Sequence, residues 1–220
     1  MTDLFHEDVR EEWIDKVVGT ICLRPQHTFM ILTKRPERMR EYMNGGNYDR
    51  RTWPMKNLWL GVTAENQEMA DLRIPILLQT PAAVRFVSVE PMLGPVVLGP
   101  VYMNCGECGY SKLDKALHGD HRLCRNPTPT LDWVICGGES GPGARPMHPD
   151  WPRSLRDQCQ AAGVPFFFKQ WGEWVSVSEV AGPGVHRHFL DGATVRRTGK
   201  KLAGCLLDGK EWKQFPEVKG

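Results

Sequence analysis

Cys105 and Cys108 flank a Gly-Glu pair, and fifteen residues then separate Cys108 from Cys124, with His118 and His121 in between. Two thiolates on one tight turn can share a tetrahedral ion, and Gly106 and Gly109 relax that turn. With His118 or His121 as the fourth ligand the set would close a structural zinc site. The competing reading is a loop with incidental cysteines, since a second Cys-x-x-Cys is missing. A redox pair fits less well, because the motif does not open a helix. A second constellation runs from Gly137 through Gly138, Glu139, Ser140 and Gly141 to Arg145. Successive backbone N–H groups there can form an anion nest, with Arg145 adding charge, or the run simply turns the chain. Its glycine order is not that of a dinucleotide fingerprint. Lys34 and Arg35 beside Glu37 and Arg38 read as an exposed charged face. Arg196, Arg197, Lys200 and Lys201 read as a solvated patch or as phosphate contacts. His148 reads as a loop histidine or a proton carrier, with no acid or nucleophile fixed beside it by sequence.

These groups need a scaffold, and the apolar periodicity supplies one. From Asp8, a candidate N-cap with Glu11 three residues on, Val9, Trp13, Val17, Val18, Ile21 and Cys22 recur at helical spacing. A strand over 28–32 feeds a helix opened by Pro36, with Met39, Tyr42 and Met43 as its buried stripe. A strand over 58–62 feeds a helix capped by Asn66, carrying Met69, Ala70 and Leu72 inward, which Pro75 is expected to break or restart. Further strands over 84–89, 133–136 and 165–168 follow, the last after a helix over 150–162 stopped by Gly163. Strands alternating with helices mean right-handed crossovers and one parallel sheet, with ligands at the carboxyl ends of the strands. That rule gathers Thr33, Lys34, Arg35, Thr63, Glu65, Glu90, Glu139, Ser140, Lys169 and Gln170 at one mouth. After about residue 176 the pattern dissolves into Gly, Pro and charge, with 204–209 and 212–216 as a small hairpin or an irregular cap.

The chain has 220 residues and 25.0 kDa, 41% hydrophobic and 25% charged, which excludes a disordered or fibrous protein. A net charge of +2 and a pI near 8.2 are too mild to imply nucleic-acid binding from composition alone. No apolar run reaches the roughly 18 residues of a membrane helix, and residues 1–10 lack a signal-peptide core, so a cytoplasmic location and no membrane partner are expected. Seven cysteines in a reducing compartment read as ligands rather than bridges. The expected organisation is a barrel-like unit over 1–175 with an insertion over 95–131, then an irregular extension over 176–220.

Several stretches are familiar as text: Asp3-Leu-Phe-His-Glu-Asp8, Leu32-Thr-Lys-Arg-Pro-Glu-Arg-Met39, Leu58-Trp-Leu-Gly-Val62 and Arg85-Phe-Val-Ser-Val-Glu-Pro-Met-Leu-Gly-Pro95. With Trp133-Val-Ile-Cys-Gly-Gly-Glu-Ser-Gly-Pro-Gly-Ala-Arg-Pro-Met147 and Pro165-Phe-Phe-Phe-Lys-Gln-Trp-Gly-Glu-Trp174, the chain resembles, almost end to end, the phage gene-product thirty-seven/sixty-eight family, also carried by bacteria. The resemblance implies a partial (β/α) barrel distantly similar to radical S-adenosylmethionine enzymes. It also implies a cofactor-facing set of Thr33, Lys34, Glu90, Gly137, Gly138, Glu139, Ser140 and Lys169. Family members carry a leading segment with three cysteines that would hold a 4Fe–4S cluster; here that segment is lacking, so no cluster is expected in this chain. The expectation is therefore an amino-terminally shortened α/β protein with a partial (β/α) barrel, catalytically incomplete without a further segment or a partner protein. The alternative is a zinc-stabilised binding module for nucleic acid or for a phage or host protein.

Overall fold

The structure, a computed structural model, describes residues 3–45, 53–103 and 130–217. Helix α1 (Glu11–Cys22) leads into strand β1 (Phe29–Thr33), followed by α2 (Pro36–Gly45), β2 (Leu58–Thr63), α3 (Gln67–Leu78), β3 (Val84–Val89), a short α4 (Gly99–Met103), β4 (Trp133–Gly137), α5 (Asp150–Ala162) and β5 (Phe166–Gln170). The five strands form one sheet in the order β1-β2-β3-β4-β5, every pair parallel. Because each right-handed crossover moves one place in the same direction, all the helices must lie on one face. The strand order never reverses, as it does in a doubly wound sheet. The sheet is open, with β1 and β5 at its two ends.

Partners in a parallel ladder share a face, and alternate residues change face, so the register sorts the side chains. Ile31, Leu60, Val62, Val87, Val134 and Phe166 point to the helices, where Ile14, Val18, Ile21, Met39, Met43, Ile74, Leu77 and Leu155 complete the main core. Trp59, Val84, Phe86 and Trp133 form a second cluster on the opposite, inner face, with Phe167 against it. Trp133 stands edge-on to Trp59 and Phe167, each at 5.9 Å between centroids. Gly61 is required there, because a Cβ would sit 2.4 Å from the Phe86 ring. The carboxyl-terminal strand of chain closes part of this face: Phe167 bridges Lys213, the Trp133 indole N–H donates to Gln214 O at 2.8 Å, and Phe215 lies 5.3 Å from Trp133.

Four expectations about the helices are corrected. Asp8 is not a cap; α1 begins after Arg10, which gives no side-chain cap. Its buried face is Ile14, Val18 and Ile21: of the expected stripe Val18 and Ile21 are inward and Val9 packs on the core, while Trp13, Val17 and Cys22 are exposed. Helix α3 is capped by Asn66 Oδ1, which accepts from the Met69 N–H at 3.0 Å, but runs straight through Pro75. Ile74 and Leu77, both fully buried, hold the helix on the sheet on either side of the missing hydrogen bond. Leu72 is exposed rather than inward. Gly163 stops α5 in the left-handed region at φ 66, and the Val164 N–H reaches Cys159 O.

The carboxyl-terminal extension is regular rather than irregular. Strands β6 (Trp174–Ser176), β7 (His186–His188) and β8 (Thr194–Arg197) form an antiparallel sheet with β8 in the middle. A turn of helix, α6 (Lys200–Ala203), leads to the hairpin β9 (Leu206–Leu207) and β10 (Lys210–Glu211), whose turn residues Asp208 and Gly209 both have positive φ. The candidate metal ligands Cys105, Cys108, His118, His121 and Cys124 lie outside the described residues. No helix of the described residues is long and apolar enough to cross a membrane.

Candidate functional site at the carboxyl ends of the strands

Since β1 to β5 run parallel, their last residues share one rim, and three carboxylates stand on it in sequence. Glu65, just beyond β2, is gripped by Lys34 Nζ from beyond β1 and by Arg73 of α3 at 2.9 Å. Glu90, just beyond β3, accepts from Lys169 Nζ at 3.1 Å and from Gln170 Nε2 at 3.3 Å, both on β5. Glu139, beyond β4, takes the fork of Arg145 at 2.8 Å on each oxygen and the Arg145 N–H at 2.7 Å. Glu65 and Glu90 therefore find their cations on other segments, which ties the rim together, while Glu139 and Arg145 brace a single turn.

The electrostatics follow from these contacts. The Arg145 hydrogen bonds pull the Glu139 carboxyl down from 4.5 to about 2. Partial burial works against ionisation of Glu65, but Lys34 and Arg73 outweigh it, and its carboxyl also sits below the ordinary value. Arg145 is raised by Glu139 and, more weakly, by Glu65, so these two stations share one field.

The glycines of the rim are spatial requirements. A Cβ on Gly137 would come within 3.3 Å of Glu90 Cδ, and one on Gly138 would lie 1.9 Å from Trp171 O. Four N–H groups of the turn are engaged within the fold: that of Gly141 donates to Glu173 Oε1, Arg145 to Glu139, Ala144 to Gly141 O and Gly138 to Gln170 O. Thr33 turns away from the rim, its hydroxyl donating to Asp3 Oδ1 at 2.7 Å while the Lys34 N–H donates to Asp3 Oδ2. Arg35 and Arg38 are likewise drawn to the amino-terminal turn, Arg35 to Glu7 at 3.1 Å and Arg38 to the carbonyls of His6 and Val9, rather than forming a free charged face. Ser140 is exposed and has no side-chain hydrogen bond among the described residues. Lys34, Glu65, Glu90, Glu139, Arg145 and Lys169 are thus the groups that converge. Arg73 was not foreseen; it sits seven residues into α3, where its position over the β2 end emerges only from the crossover.

His148 has a different task. It is buried, its Nε2 lies 2.9 Å from Asp191 Oδ2, and its Nδ1 accepts from the Asp150 N–H at 3.1 Å. Phe189 stacks edge-on at 4.5 Å. Asp191, held below the ordinary carboxylate value by the Ala193 N–H first and then by His148, brings the β7–β8 turn onto the start of α5. His148, Asp150 and Asp191 offer three ligand atoms within 4.8 Å of one another. Both imidazole nitrogens are already engaged, and Asp150 Oδ1 faces Arg153 at 3.1 Å, so the trio reads as a hydrogen-bonded latch rather than a cation site.

A cluster-binding role does not fit the described cysteines. Cys136 and Cys159 are buried in the main core, where desolvation pushes both thiols up, while Cys22 lies at the end of α1 and Cys205 beside β9. No three of them converge on the rim. A family model described as "Protein of unknown function (DUF5131)" matches residues 1–216. Comparison with curated proteins and with solved structures gave no match.

Proposed function

The chain belongs to that family of unknown function, and we propose that its strand-end rim is a small-molecule site for S-adenosylmethionine or a like zwitterion. The observation that carries the reading is the row of Glu65, Glu90 and Glu139 after three successive strands, the first two paired with cations from other strand ends and the third with Arg145 of its own turn. A ligand with an ammonium, a carboxylate and a sulfonium can exchange into such pairs: its ammonium replaces Lys169 at Glu90, and its carboxylate meets Lys34 or Arg145. Exchange of like for like avoids leaving a half-buried charge without a partner. The one-sided winding of the sheet supports a relation to (β/α) barrels, and the resemblance of the motifs points to a phage-associated member of that group. Among the described residues no three thiolates meet at the rim, so the reading is of binding by this chain without reductive cleavage of the ligand.

Calorimetric titration with S-adenosylmethionine tests this. Binding by the native chain, weakened at least tenfold in Glu90→Gln and in Glu139→Gln, is expected. Equal heats in all three proteins, or none at millimolar ligand, would refute the site. Anaerobic reconstitution with iron and sulfide, then dithionite, should give no 5′-deoxyadenosine above a Cys105→Ala, Cys108→Ala control.

A further inference from the structure

The mild net charge hides a local excess. Residues 181–204 hold five Lys and Arg against one acid, so this segment has a net +4 and the remainder of the chain a net −2. Two of these cations are accounted for within the fold. Arg196 is buried, its guanidinium donating to Pro183 O at 2.8 Å, and is not part of any solvated patch. Arg197 donates to Pro142 O at 2.9 Å and lies 3.9 Å from Glu173, while remaining partly exposed. Arg187, Lys200 and Lys201 are exposed and have no carboxylate partner among the described residues. The one acid of the segment, Asp191, is turned to His148.

The register places these charges on one surface. Arg187 pairs with Val195, and Arg197 is two residues further along β8, so both side chains emerge from the same face of the small sheet. They are separated by about 7 Å along the strand and about 5 Å across it. Lys200 and Lys201 follow directly on α6. Arg197, through Pro142, and Glu173, through the Gly141 N–H, dock this sheet on the rim turn that carries Arg145, itself 59% exposed. The positive surface therefore ends at the candidate site. Exposed apolar groups accompany it: Val185 precedes β7, and Leu190 at the β7–β8 turn is fully solvated. A duplex keeps its bases stacked inside and has no use for apolar neighbours, whereas an unpaired strand offers phosphates to the cations and base faces to the aliphatic groups.

We propose that the exposed cations of the carboxyl-terminal sheet and α6, Arg187, Arg197, Lys200 and Lys201, bind single-stranded nucleic acid. The binding is independent of sequence, and the strand runs toward the rim.

The test is fluorescence anisotropy with a labelled 20-nucleotide single-stranded DNA, the native chain titrated at several salt concentrations from 50 mM upward. Arg187→Ser/Lys200→Ser/Lys201→Ser should weaken binding at least tenfold at the lowest salt. It should also reduce the slope of log K against log salt by about 2, three cations at roughly 0.7 each. Lys16→Ser/Arg24→Ser/Lys56→Ser removes the same charge from the opposite side of the fold and should leave both quantities unchanged. Thermal melting checks that both triple variants are folded, and Arg187→Ser alone should show one third of the slope change. Equal weakening by the two triple variants, no binding by the native chain at 50 mM salt, tighter binding of a duplex of the same length, or preferential binding of phosphatidylserine vesicles would each overturn the proposal. S-adenosylmethionine titration of the patch variant and oligonucleotide titration of Glu90→Gln separate this surface from the rim, since each should match the native chain.

Discussion

Replacing Gly138 by alanine asks how tightly the rim is built. Gly138 follows β4 and Gly172 follows β5, and the two backbones cross here so closely that a Cβ on Gly138 would lie 1.9 Å from Trp171 O and 2.7 Å from its carbonyl carbon. Cβ atoms do not approach other heavy atoms within 3.0 Å, so one of the two chains must retreat by at least about 1.1 Å. Neither can do so alone: the Gly138 N–H is bonded to Gln170 O, the Glu173 N–H to Glu139 O, and the Trp171 side chain is fully buried. The obstacle is backbone rather than the end of a flexible side chain. The cost therefore belongs to the range of core overpacking, about 1–3 kcal/mol or somewhat more. For a chain of this size that lowers the melting temperature by about 2–4 °C per kcal/mol, or roughly 5–10 °C. Gly143→Ala is the matched control, since its Cβ would meet nothing within 4 Å and its φ is not positive; it should shift melting by less than about 2 °C. Scanning fluorimetry with a urea titration reads both, and binding of S-adenosylmethionine should fall in Gly138→Ala because Glu139 moves with its neighbour. Equal melting of the two variants would refute the claim that the rim turn is fixed by backbone contact.

Other perturbations give distinct readouts. The Glu139 carboxyl is lowered in the fold, so its contribution is fully present above its ordinary value of 4.5 and is lost as the pH falls toward about 2; urea midpoints of Arg145→Ala should fall less steeply over that window than those of the native chain. Thiol titration with a disulfide reagent at pH 8 should label Cys22 readily and leave Cys136 and Cys159 unlabelled until denaturant is added, because burial disfavours both thiolates; rapid labelling of Cys159 in the native chain would contradict its place in the core. The Cys105, Cys108 and Cys124 spacing with His118 or His121 predicts about one zinc per chain by elemental analysis and destabilisation by chelator. Asp191→Ala should loosen the β7–β8 turn and leave the buried His148 without its carboxylate partner, measurable as a lowered urea midpoint.

How far the sequence could be read depended on whether a feature is local. The strand over 84–89, the helix over 150–162 with its Gly163 stop and the Asn66 cap are set by neighbours a few residues away, and they stand where the periodicity puts them. In α1, Val18 and Ile21 turn inward as the spacing puts them, but Trp13 and Val17 are as apolar as Ile14 and only the sheet decides which of them is buried; Arg10 over the Trp13 ring at 4.8 Å makes the exposed position tolerable. Pro75 shows the reverse, a strong local signal overridden by burial of Ile74 and Leu77. The small sheet after residue 173 went unrecognised although Asp191-Gly192 is a hairpin signal, since strands of three or four residues are too short to show alternation, whereas the hairpin at Asp208-Gly209 lies close to where a small hairpin was one of two readings. At the rim, Glu65, Glu90 and Lys169 follow from the rule that parallel strands end together. The pairing of Glu139 with Arg145, of Glu65 with Arg73 and of His148 with Asp191 depends on how loops fold back, which no spacing encodes.

The two ends of the main sheet are not equivalent. On β5 the segment around Lys213 and Phe215 already lies alongside the last strand, whereas β1 is paired only with β2 among the described residues, and Met30 on it is half exposed. A protein with two bare edges can propagate into a fibril, each copy templating the next. A main sheet with a single bare edge cannot pass the pairing on through itself. Association through β1 would join two copies about a twofold axis, necessarily antiparallel, and stop there. The tail that fastens Trp133 on one side of the molecule thus also limits the stoichiometry available on the other.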